Sequence, residues 1–335
     1  MRTIQVRLNK KLIKKAKELV ERDLYASKSE VIRDALRRLY FPQISTKDRE
    51  FRVIYTSDIH GNLAQYKKLF GRAIETKADS IIIGGDLLPK DKKNRTPIKQ
   101  RRFLEKELIP LICKFHKKNA QKNHKCKIFI LLGNDDFRKN LSVLKRNQKK
   151  GGYKAIQNKC ISFYENFKIA GYSYVPLTPF SFKDWERLDL NDEKETKTRE
   201  NFILEGKINN SSIKKFDLSD RKYNIEKDLQ KLTKNKNPKE LILVTHAPPY
   251  NTSLDMISQK KHVGSKAIKK IIKEKQPLVG LHGHIHETVK LSGHFFEEIG
   301  NTLSISSGND HINKKLSIIE FNLFNPRQTI KRICI

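Results

Sequence analysis

Hydrophobic and polar positions follow two different patterns along this chain. In the first forty residues, Thr3 to Leu8 strictly alternates apolar and polar side chains, which predicts a half-buried strand. Apolar positions from Leu12 to Val20, and again from Val31 to Leu39, recur at helical spacing and predict two amphipathic helices. Asn9 and Ser27 stand where N-caps are expected. This stretch therefore predicts one strand followed by two helices.

Beyond Phe51 the pattern changes to short apolar runs, each of which ends in a polar cluster. The clusters read S-D-I-H-G-N (57–62), G-G-D (84–86), G-N-D-D (133–136), H-A-P-P (246–249) and H-G-H-I-H (282–286). Helical periodicity lies between several of the runs, as in Ala64–Glu75 and Arg101–Cys113, so the order predicts a layered α/β architecture. Ligand sites in such sheets lie beyond the carboxyl ends of strands. We therefore expect the five clusters to meet.

Length and composition add limits to this interpretation. A chain of 335 residues can form one large core, or a large domain and a small one. No run reaches the roughly 18 apolar residues of a membrane span, and the N-terminus lacks a signal-peptide stretch, so we expect a soluble, cytoplasmic protein. The four scattered cysteines form no C-x-x-C pair, which argues against a zinc finger or a disulfide framework.

The formal net charge of +33 favours a polyanionic partner, although a general lysine bias of the composition would produce the same total. The excess of basic over acidic side chains is concentrated in two parts of the chain. Residues 90–154 carry 21 basic and 5 acidic side chains, and residues 1–45 carry 12 and 5, whereas residues 183–240 are nearly balanced at 15 and 13. The basic stretch 90–154 flanks two of the polar clusters, so either a nucleic-acid contact or a solvated lysine-rich surface fits it.

The polar clusters contain a set of side chains suited to metal ions. The candidate ligands are Asp58, His60, Asp86, Asn134, His246, His284 and His286. Carboxylate, amide and imidazole donors without a thiolate suit Mn, Fe or Zn, and seven donors are too many for one tetrahedral site. We therefore predict two divalent ions, whose arrangement would clamp a phosphate ester. His282 is expected to pack inside a strand, and His262, His294 and His311 have no assigned role.

The ordered set D-x-H, G-D, G-N, H-A-P and G-H-x-H resembles the calcineurin-like metallophosphoesterase family from about Arg52 to about Phe321. The resemblance implies a four-layer α/β/β/α sandwich and attack on phosphorus by a metal-bound hydroxide. It also implies the ligand sets: Asp58, His60 and His286 for one ion, Asn134, His246 and His284 for the other, and Asp86 as the bridge.

The sequence departs from this family at the residue after Asn134, where much of the family has a histidine that contacts phosphate. Asp135 stands there instead, and an aspartate beside two dications is expected to stay anionic and to be a poor general acid. Activated leaving groups should then be preferred. Asp136 is expected to orient a neighbour or cap a turn, and Arg138 either contacts the substrate phosphate or is a solvated surface residue. These three residues are the candidate catalytic side chains.

The first forty residues, through the strand and the two faces described above, resemble the ribbon-helix-helix family of Arc-type DNA-binding domains. So short a segment has to dimerise or dock, because it buries too little surface alone. The resemblance implies a homodimer through residues 2–40. It also implies DNA contacts from six residues: Thr3, Gln5 and Arg7 to base edges, and Ser27, Lys28 and Ser29 to a backbone phosphate. A dimerisation element that never meets DNA is the alternative.

Together these features predict a ribbon-helix-helix domain over 1–42, a linker over 43–50 and a phosphoesterase domain over 51–335, with a charge-mixed insertion and possible lid at 183–238. The favoured function is a dinuclear metal-dependent phosphoesterase, most simply a phosphodiesterase, fused to a DNA-binding dimerisation module. One alternative is a metal-dependent nuclease acting on DNA or RNA. The other is a DNA-binding transcriptional regulator whose phosphoesterase domain senses a nucleotide.

Overall fold

A computed structural model describes residues 8–21, 25, 27–40, 50–90, 96–180, 182, 184–191, 205–209, 212–215 and 223–335. Both predicted N-terminal helices are confirmed, as α1 (Lys10–Glu21) and α2 (Lys28–Tyr40). The Asn9 side chain accepts a hydrogen bond from the backbone N–H of Leu12 at 2.9 Å, and Ser27 accepts one from Glu30 at 3.2 Å, so both predicted N-caps are present. Residues 3–7 of the predicted strand lie outside the described residues.

Two six-stranded sheets form the centre of the remaining chain. The described strands are β1 (Arg52–Thr56), β2 (Ser80–Gly84), β3 (Lys127–Leu131), β4 (Tyr153–Ala155), β5 (Lys159–Tyr164), β6 (Phe167–Tyr172), β7 (Glu205–Asn209), β8 (Ser212–Lys215), β9 (Leu241–Thr245), β10 (Val279–His282), β11 (Phe296–Ile299), β12 (Thr302–Ser306), β13 (Ser317–Asn322) and β14 (Lys331–Cys334). The first sheet has the order β14-β13-β1-β2-β3-β4 and the second β11-β12-β10-β9-β6-β5, while β7 and β8 pair separately. The inner strands β1, β2 and β3, and likewise β6, β9, β10 and β12, run parallel.

Helices lie on the outer faces of these sheets. Those that follow α2 are α3 (Leu63–Glu75), α4 (Pro97–Phe103), α5 (Ile109–Gln121), α6 (Leu141–Arg146), α7 (Gln148–Gly151), α8 (Ile225–Thr233), α9 (Lys266–Lys275), α10 (Thr288–Ser292) and α11 (Pro326–Thr329). A π-helical turn, Leu104–Leu108, joins α4 to α5. Pro110 follows this turn, and proline disfavours regular helix there because its ring clashes with the carbonyl four residues earlier. Within the described residues, no helix is both long and apolar enough to cross a membrane.

Alternation along the strands explains the layering. Val53 and Tyr55 of β1 point into a core that both sheets share, together with Val244 of β9. Ile54, between them, points to the opposite face and joins a second core that contains the buried residues of the outer helices, such as Leu69 of α3. The predicted mixed α/β architecture with two sheets is therefore confirmed.

Parts of the segment 183–238, which was predicted to be an insertion and possible lid, are buried in the core. Its helix α8 buries Ile225 and Leu229 completely, and both belong to the core between helices and sheet. Trp185 is also buried, and its indole N–H donates to the backbone carbonyl of Asp136 at 2.7 Å. These parts belong to the core and are not a lid. Residues 192–204 and 216–222, and the predicted linker over 43–49, lie outside the described residues.

Candidate metal centre

All seven predicted ligands lie in loops at the carboxyl ends of parallel strands. Asp58 and His60 follow β1, Asp86 follows β2, Asn134 follows β3, His246 follows β9, and His284 and His286 follow β10. Three of these strands belong to one sheet and two to the other. The site therefore lies where the edges of the two sheets meet, and its assembly requires both sheets to be packed.

Asp86 occupies the middle of the cluster. Its Oδ2 atom is 3.5 Å from His60 Nε2 and 3.4 Å from His246 Nε2, so imidazoles supplied by different sheets face the same carboxylate oxygen. His246 Nε2 is also 3.0 Å from the side-chain oxygen of Asn134. The Asp86 side chain is 2% exposed. Asp86 therefore lies between donors supplied by both sheets.

A second group of donors converges beside the first. Single ligand atoms of Asp58, His60, Asp86 and His286 all lie within 4.8 Å of one another. The Nε2 atoms of His60 and His286 are 3.2 Å apart, and His286 Nε2 is 3.6 Å from Asp58 Oδ1. The ring of His284 lies 5.4 Å from that of His246, measured between centroids. Imidazole nitrogens and carboxylate oxygens facing one small volume are the donor set of a divalent ion, so the residues fit the predicted centre.

The backbone at the ligands is held in a sparsely populated conformation. Asp58, His60, Asp86 and His284 have φ angles of 57°, 45°, 51° and 71°, in the left-handed region that disfavours residues with a Cβ. Gly133 allows the loops to approach closely, because a Cβ there would lie 2.3 Å from Asp86 Oδ1 and 2.6 Å from His246 Nε2. Such strain persists only where the surrounding structure imposes it, and it is concentrated at functional sites.

The cluster perturbs the titration of its own members. Burial lowers the pKa of His60 well below its usual value, and burial lowers the pKa of His284 to about 3. Burial acts in the same direction on His246, but the charge of Asp86 and a hydrogen bond to it raise the pKa of His246 to about 9. Burial opposes ionisation of Asp86, but His246 and His60 hold its pKa well below the usual value. Asp86 and His246 thus stabilise each other's charged form, and a divalent cation bound between them would displace the His246 proton.

Asp136, for which an orienting or capping role was predicted, supports the loops that carry the ligands. Its carboxylate accepts hydrogen bonds from the backbone N–H groups of Leu87, Leu88 and Gly133 at 2.8 to 3.0 Å. Burial and the neighbouring charge of Asp86 raise the pKa of Asp136, and the three N–H donors oppose that shift. Asp136 therefore holds the loops after β2 and β3 together, which is a positioning role.

Asp135 lies at the edge of the cluster beside a lysine that sequence reasoning had not singled out. Its Oδ2 atom is 4.0 Å from His60 Nδ1 and 3.7 Å from the Lys90 ammonium group. The backbone N–H of Asp135 donates to Asp86 Oδ1 at 2.8 Å. Arg138 is exposed, with its guanidinium 5.8 Å from the centre of the Trp185 ring. Lys90 is therefore a cation in contact with Asp135.

His311 is a site residue to which the sequence analysis assigned no role. It follows β12, the next strand of the second sheet, and its ring centroid is 4.5 Å from that of His60 and 5.6 Å from that of His286. One nitrogen of each of these three rings lies within 4.8 Å of the others. The available indication was the apolar alternation of Thr302–Ser306, followed by the polar cluster S-G-N-D-H. His282, by contrast, packs in its strand as predicted, fully buried with Nδ1 2.8 Å from Thr245 Oγ1.

The predicted DNA-binding residues are only partly described. Thr3, Gln5 and Arg7 lie outside the described residues. Ser27 caps α2 and faces Gly293, which follows α10, while Lys28 and Ser29 are exposed. Helix α2 also contacts this region through Arg33, whose guanidinium lies 2.6 Å from His294 Nε2.

Three kinds of comparison relate this chain to known proteins. A family profile described as calcineurin-like phosphoesterase matches residues 51–288. An uncharacterized protein of Methanocaldococcus jannaschii is 37% identical over 150 residues, which cover 42% of this chain and 66%, just under two thirds, of that relative. The crystal structure of the protein TT1561 of Thermus thermophilus superposes with a TM-score of 0.52 at 16% identity, over 85% of this chain and 99% of that one. A dimetal phosphatase from Danio rerio covers 86% of this chain and 99% of its own, at 10% identity and a TM-score of 0.47.

Proposed function

Because this chain belongs to the calcineurin-like phosphoesterase family of hydrolases, we propose that it is a dinuclear metal-dependent phosphodiesterase. One observation carries the proposal: a single buried oxygen of Asp86 faces His60 from one sheet and His246 from the other, at 3.5 and 3.4 Å. If Asp86 bound a single cation, the other ligands of that cation would be needed on only one side of the carboxylate. A carboxylate between two sets of donors matches a pair of ions.

The residues available to each ion follow from the two groups of donors. Asp58, His60 and His286 would hold one cation, Asn134, His246 and His284 would hold the other, and Asp86 would contact both. When bound, such ions lower the pKa of water and neutralise charge on the phosphoryl oxygens. The neighbouring loops would keep the donors in place through the three backbone bonds to Asp136.

Side chains at the edge of the cluster favour a diester over a monoester. Asp135 places a negative charge 4.0 Å from His60, and Lys90 offsets it at 3.7 Å. A phosphodiester carries one negative charge, whereas a monoester carries nearly two near neutral pH, so Asp135 repels the diester less. Lys90 and His311 supply donors for the phosphoryl oxygens. Asp135 Oδ2 lies 4.0 Å from His60 Nδ1, beyond hydrogen-bond distance, so its negative charge would act on that ligand through space.

For the N-terminal residues we propose a dimerisation module that contacts DNA through Thr3, Gln5 and Arg7. Two properties support it. The helices α1 and α2 leave Leu12, Ile13 and Leu36 exposed, which a second copy would cover. The local charge excess of residues 1–45 would favour phosphate contacts.

The phosphodiesterase proposal is tested with the full-length protein, a bis-aryl phosphate and Mn²⁺, Zn²⁺ or Fe²⁺ supplied separately. We expect Asp86→Asn to lose at least one bound metal equivalent by elemental analysis and to reduce kcat/KM at least 100-fold. Glu274→Gln, which removes one exposed carboxylate from α9, is the matched control and should leave both quantities unchanged. Full activity in Asp86→Asn, or no hydrolysis by the metal-loaded wild type, would refute the proposal.

A further inference from the structure

Two cavities meet at the metal centre, and His60 lines both. The first, of about 870 Å³, extends from His60 along α4 and the π-helical turn. The second, of about 1100 Å³, extends from His60 and His286 towards β14. Pockets that bind a whole small-molecule ligand have volumes of roughly 300 to 1,000 Å³, so the volume of each cavity is near or above the upper end of that range. The volume around the reacting centre is therefore larger than one phosphate ester requires. We call the first cavity the helix arm and the second the strand arm.

The helix arm presents a row of basic side chains. Lys99, Arg102 and Lys106 are spaced by three and four residues, so they share one face of the helix, and all three are exposed along the cavity. Glu107 is the one acidic residue among those that line it. Gln100 connects α4 to the loops that carry the candidate ligands, because its side-chain amide donates to the backbone carbonyls of Pro89 at 3.0 Å and Asp135 at 2.9 Å.

The strand arm is also basic. Its cationic lining residues are Lys90, Lys290, Lys314, Lys315 and Arg332, against the acidic Glu287 and Asp310. Val20 and Tyr25 of the N-terminal unit complete one wall. Both arms thus carry an excess of positive charge, and they lie on either side of β1, because the strand arm borders β13 and β14 whereas α4 follows β2. A small ester would contact only the centre, so charge in both arms indicates a ligand with phosphates on both sides of the reacting one.

We propose that the two arms bind a single-stranded nucleic acid that crosses the metal centre, so that an internal phosphodiester bond is hydrolysed. This inference rests on the proposed function and names its substrate class. The oxygen of water bonds to phosphorus, and one ester P–O bond breaks. One product end keeps the phosphate, and a proton from water completes the hydroxyl of the other.

A single strand fits this site better than a duplex does. The candidate ligands Asp58, His60 and Asp86 are 2 to 5% exposed, so the scissile phosphate has to enter a recess to reach them. Duplex DNA is stiff over about 150 base pairs and does not bend into such a recess without a cost in free energy. A single strand bends at each nucleotide, and its neighbouring phosphates then follow the two basic arms.

Closed circular single-stranded DNA tests this inference, because it has no ends. We expect the full-length protein with Mn²⁺ to convert circles to linear molecules, and to cut an end-blocked oligonucleotide of DNA or RNA internally. Duplex oligonucleotides should be cut at least tenfold more slowly. Intact circles alongside trimmed linear strands would overturn the crossing path, and faster cleavage of duplex would overturn the single-strand assignment.

A bis-aryl phosphate is assayed in parallel. Its hydrolysis without any cleavage of nucleic acid refutes this inference alone, whereas loss of both reactions in the metal-loaded protein refutes the proposed function.

A charge-removal variant tests the helix arm. In Lys99→Gln/Arg102→Gln/Lys106→Gln, the ratio of kcat/KM for the oligonucleotide to that for the bis-aryl phosphate should fall at least tenfold. The slope of log KM against log salt for the oligonucleotide should decrease by about 2, at about 0.7 for each lost phosphate contact. The matched control is Lys239→Gln/Lys273→Gln/Lys275→Gln, which removes three exposed lysines near the opposite end of the sheet. Equal ratios and slopes in the two triple variants would contradict the assignment.

Discussion

The metal centre and the N-terminal helical pair differ in how completely neighbouring residues of this chain cover their side chains. At the centre, Asp86 and His60 are 2% and 5% exposed, and Asp86 is fixed by neighbours from other loops. In the helical pair, Leu12 and Ile13 of α1 are 53% and 43% exposed, although they lie on the apolar face of an amphipathic helix. The described residues of this chain therefore complete the first region, whereas part of the apolar surface of the second is left uncovered.

This difference separates two kinds of constraint. Close packing around the donors means that a displacement of one atom reaches several ligands at once, so function there is sensitive to small changes. Among the described residues, Arg33 of the helical pair contacts His294, and a change on the exposed face of the pair should affect association before it affects chemistry. The three predictions that follow test this contrast.

The largest effect is expected from Gly133→Ala. Its new Cβ would lie 2.3 Å from Asp86 Oδ1 and 2.6 Å from His246 Nε2, so both ligands have to move. A shift of about 1 Å at a catalytic centre can cost roughly 100-fold in rate, and we expect at least that loss in kcat/KM together with weaker metal binding by calorimetry.

Gly71→Ala on α3, where a Cβ meets nothing within 4 Å, is the control. It should stabilise the fold by roughly 0.5 to 1 kcal/mol in denaturant unfolding. Equal activity in the two variants would show that the close approach is not required.

An intermediate effect is expected from Leu12→Asp. If a second copy covers α1, a carboxylate there should weaken dimerisation by at least about 2 kcal/mol, because it removes the burial of a leucine. That corresponds to roughly a 30-fold higher dissociation constant by sedimentation equilibrium. Hydrolysis of a bis-aryl phosphate should change less than about twofold. Lys14→Asp, which also introduces an acid on α1, is the control and should not change association as strongly. A wild-type protein that is monomeric at all concentrations would refute the dimer.

The smallest effect is expected from Asp135→Asn. Because Asp135 Oδ2 lies 4.0 Å from His60 Nδ1, beyond hydrogen-bond distance, it acts on that ligand only through its charge, and the rate should fall less than about tenfold when the charge is removed. Asp135→Ala removes the same charge and should lower metal affinity or activity to a similar extent, less than about tenfold. Phenolic diesters should react faster than alkyl diesters in all three proteins, because none supplies a general acid at this position. A selective and large loss with alkyl diesters in Asp135→Asn would instead identify Asp135 as that acid.

Much of the fold and of the site was predictable from local pattern. The period of the apolar positions identified both N-terminal helices, and Asn9 and Ser27 gave their first residues within one position. The convergence of the seven candidate ligands was predictable because polar clusters followed apolar runs at points where parallel strands end. His311 was missed since its cluster follows β12, whose membership of the second sheet is a long-range property. Lys90 was missed for a related reason, because it approaches Asp135 across two loops.

The amino-acid sequence by itself determined where helices and strands form and which donors stand at their ends, since period and capping act over a few residues. Only the tertiary structure decided that α8 is a core helix, that Asp136 ties two loops together, and that two basic cavities join at His60. Those properties depend on contacts between residues far apart in the chain. Such contacts exist only after both sheets have packed, and no local pattern encodes them.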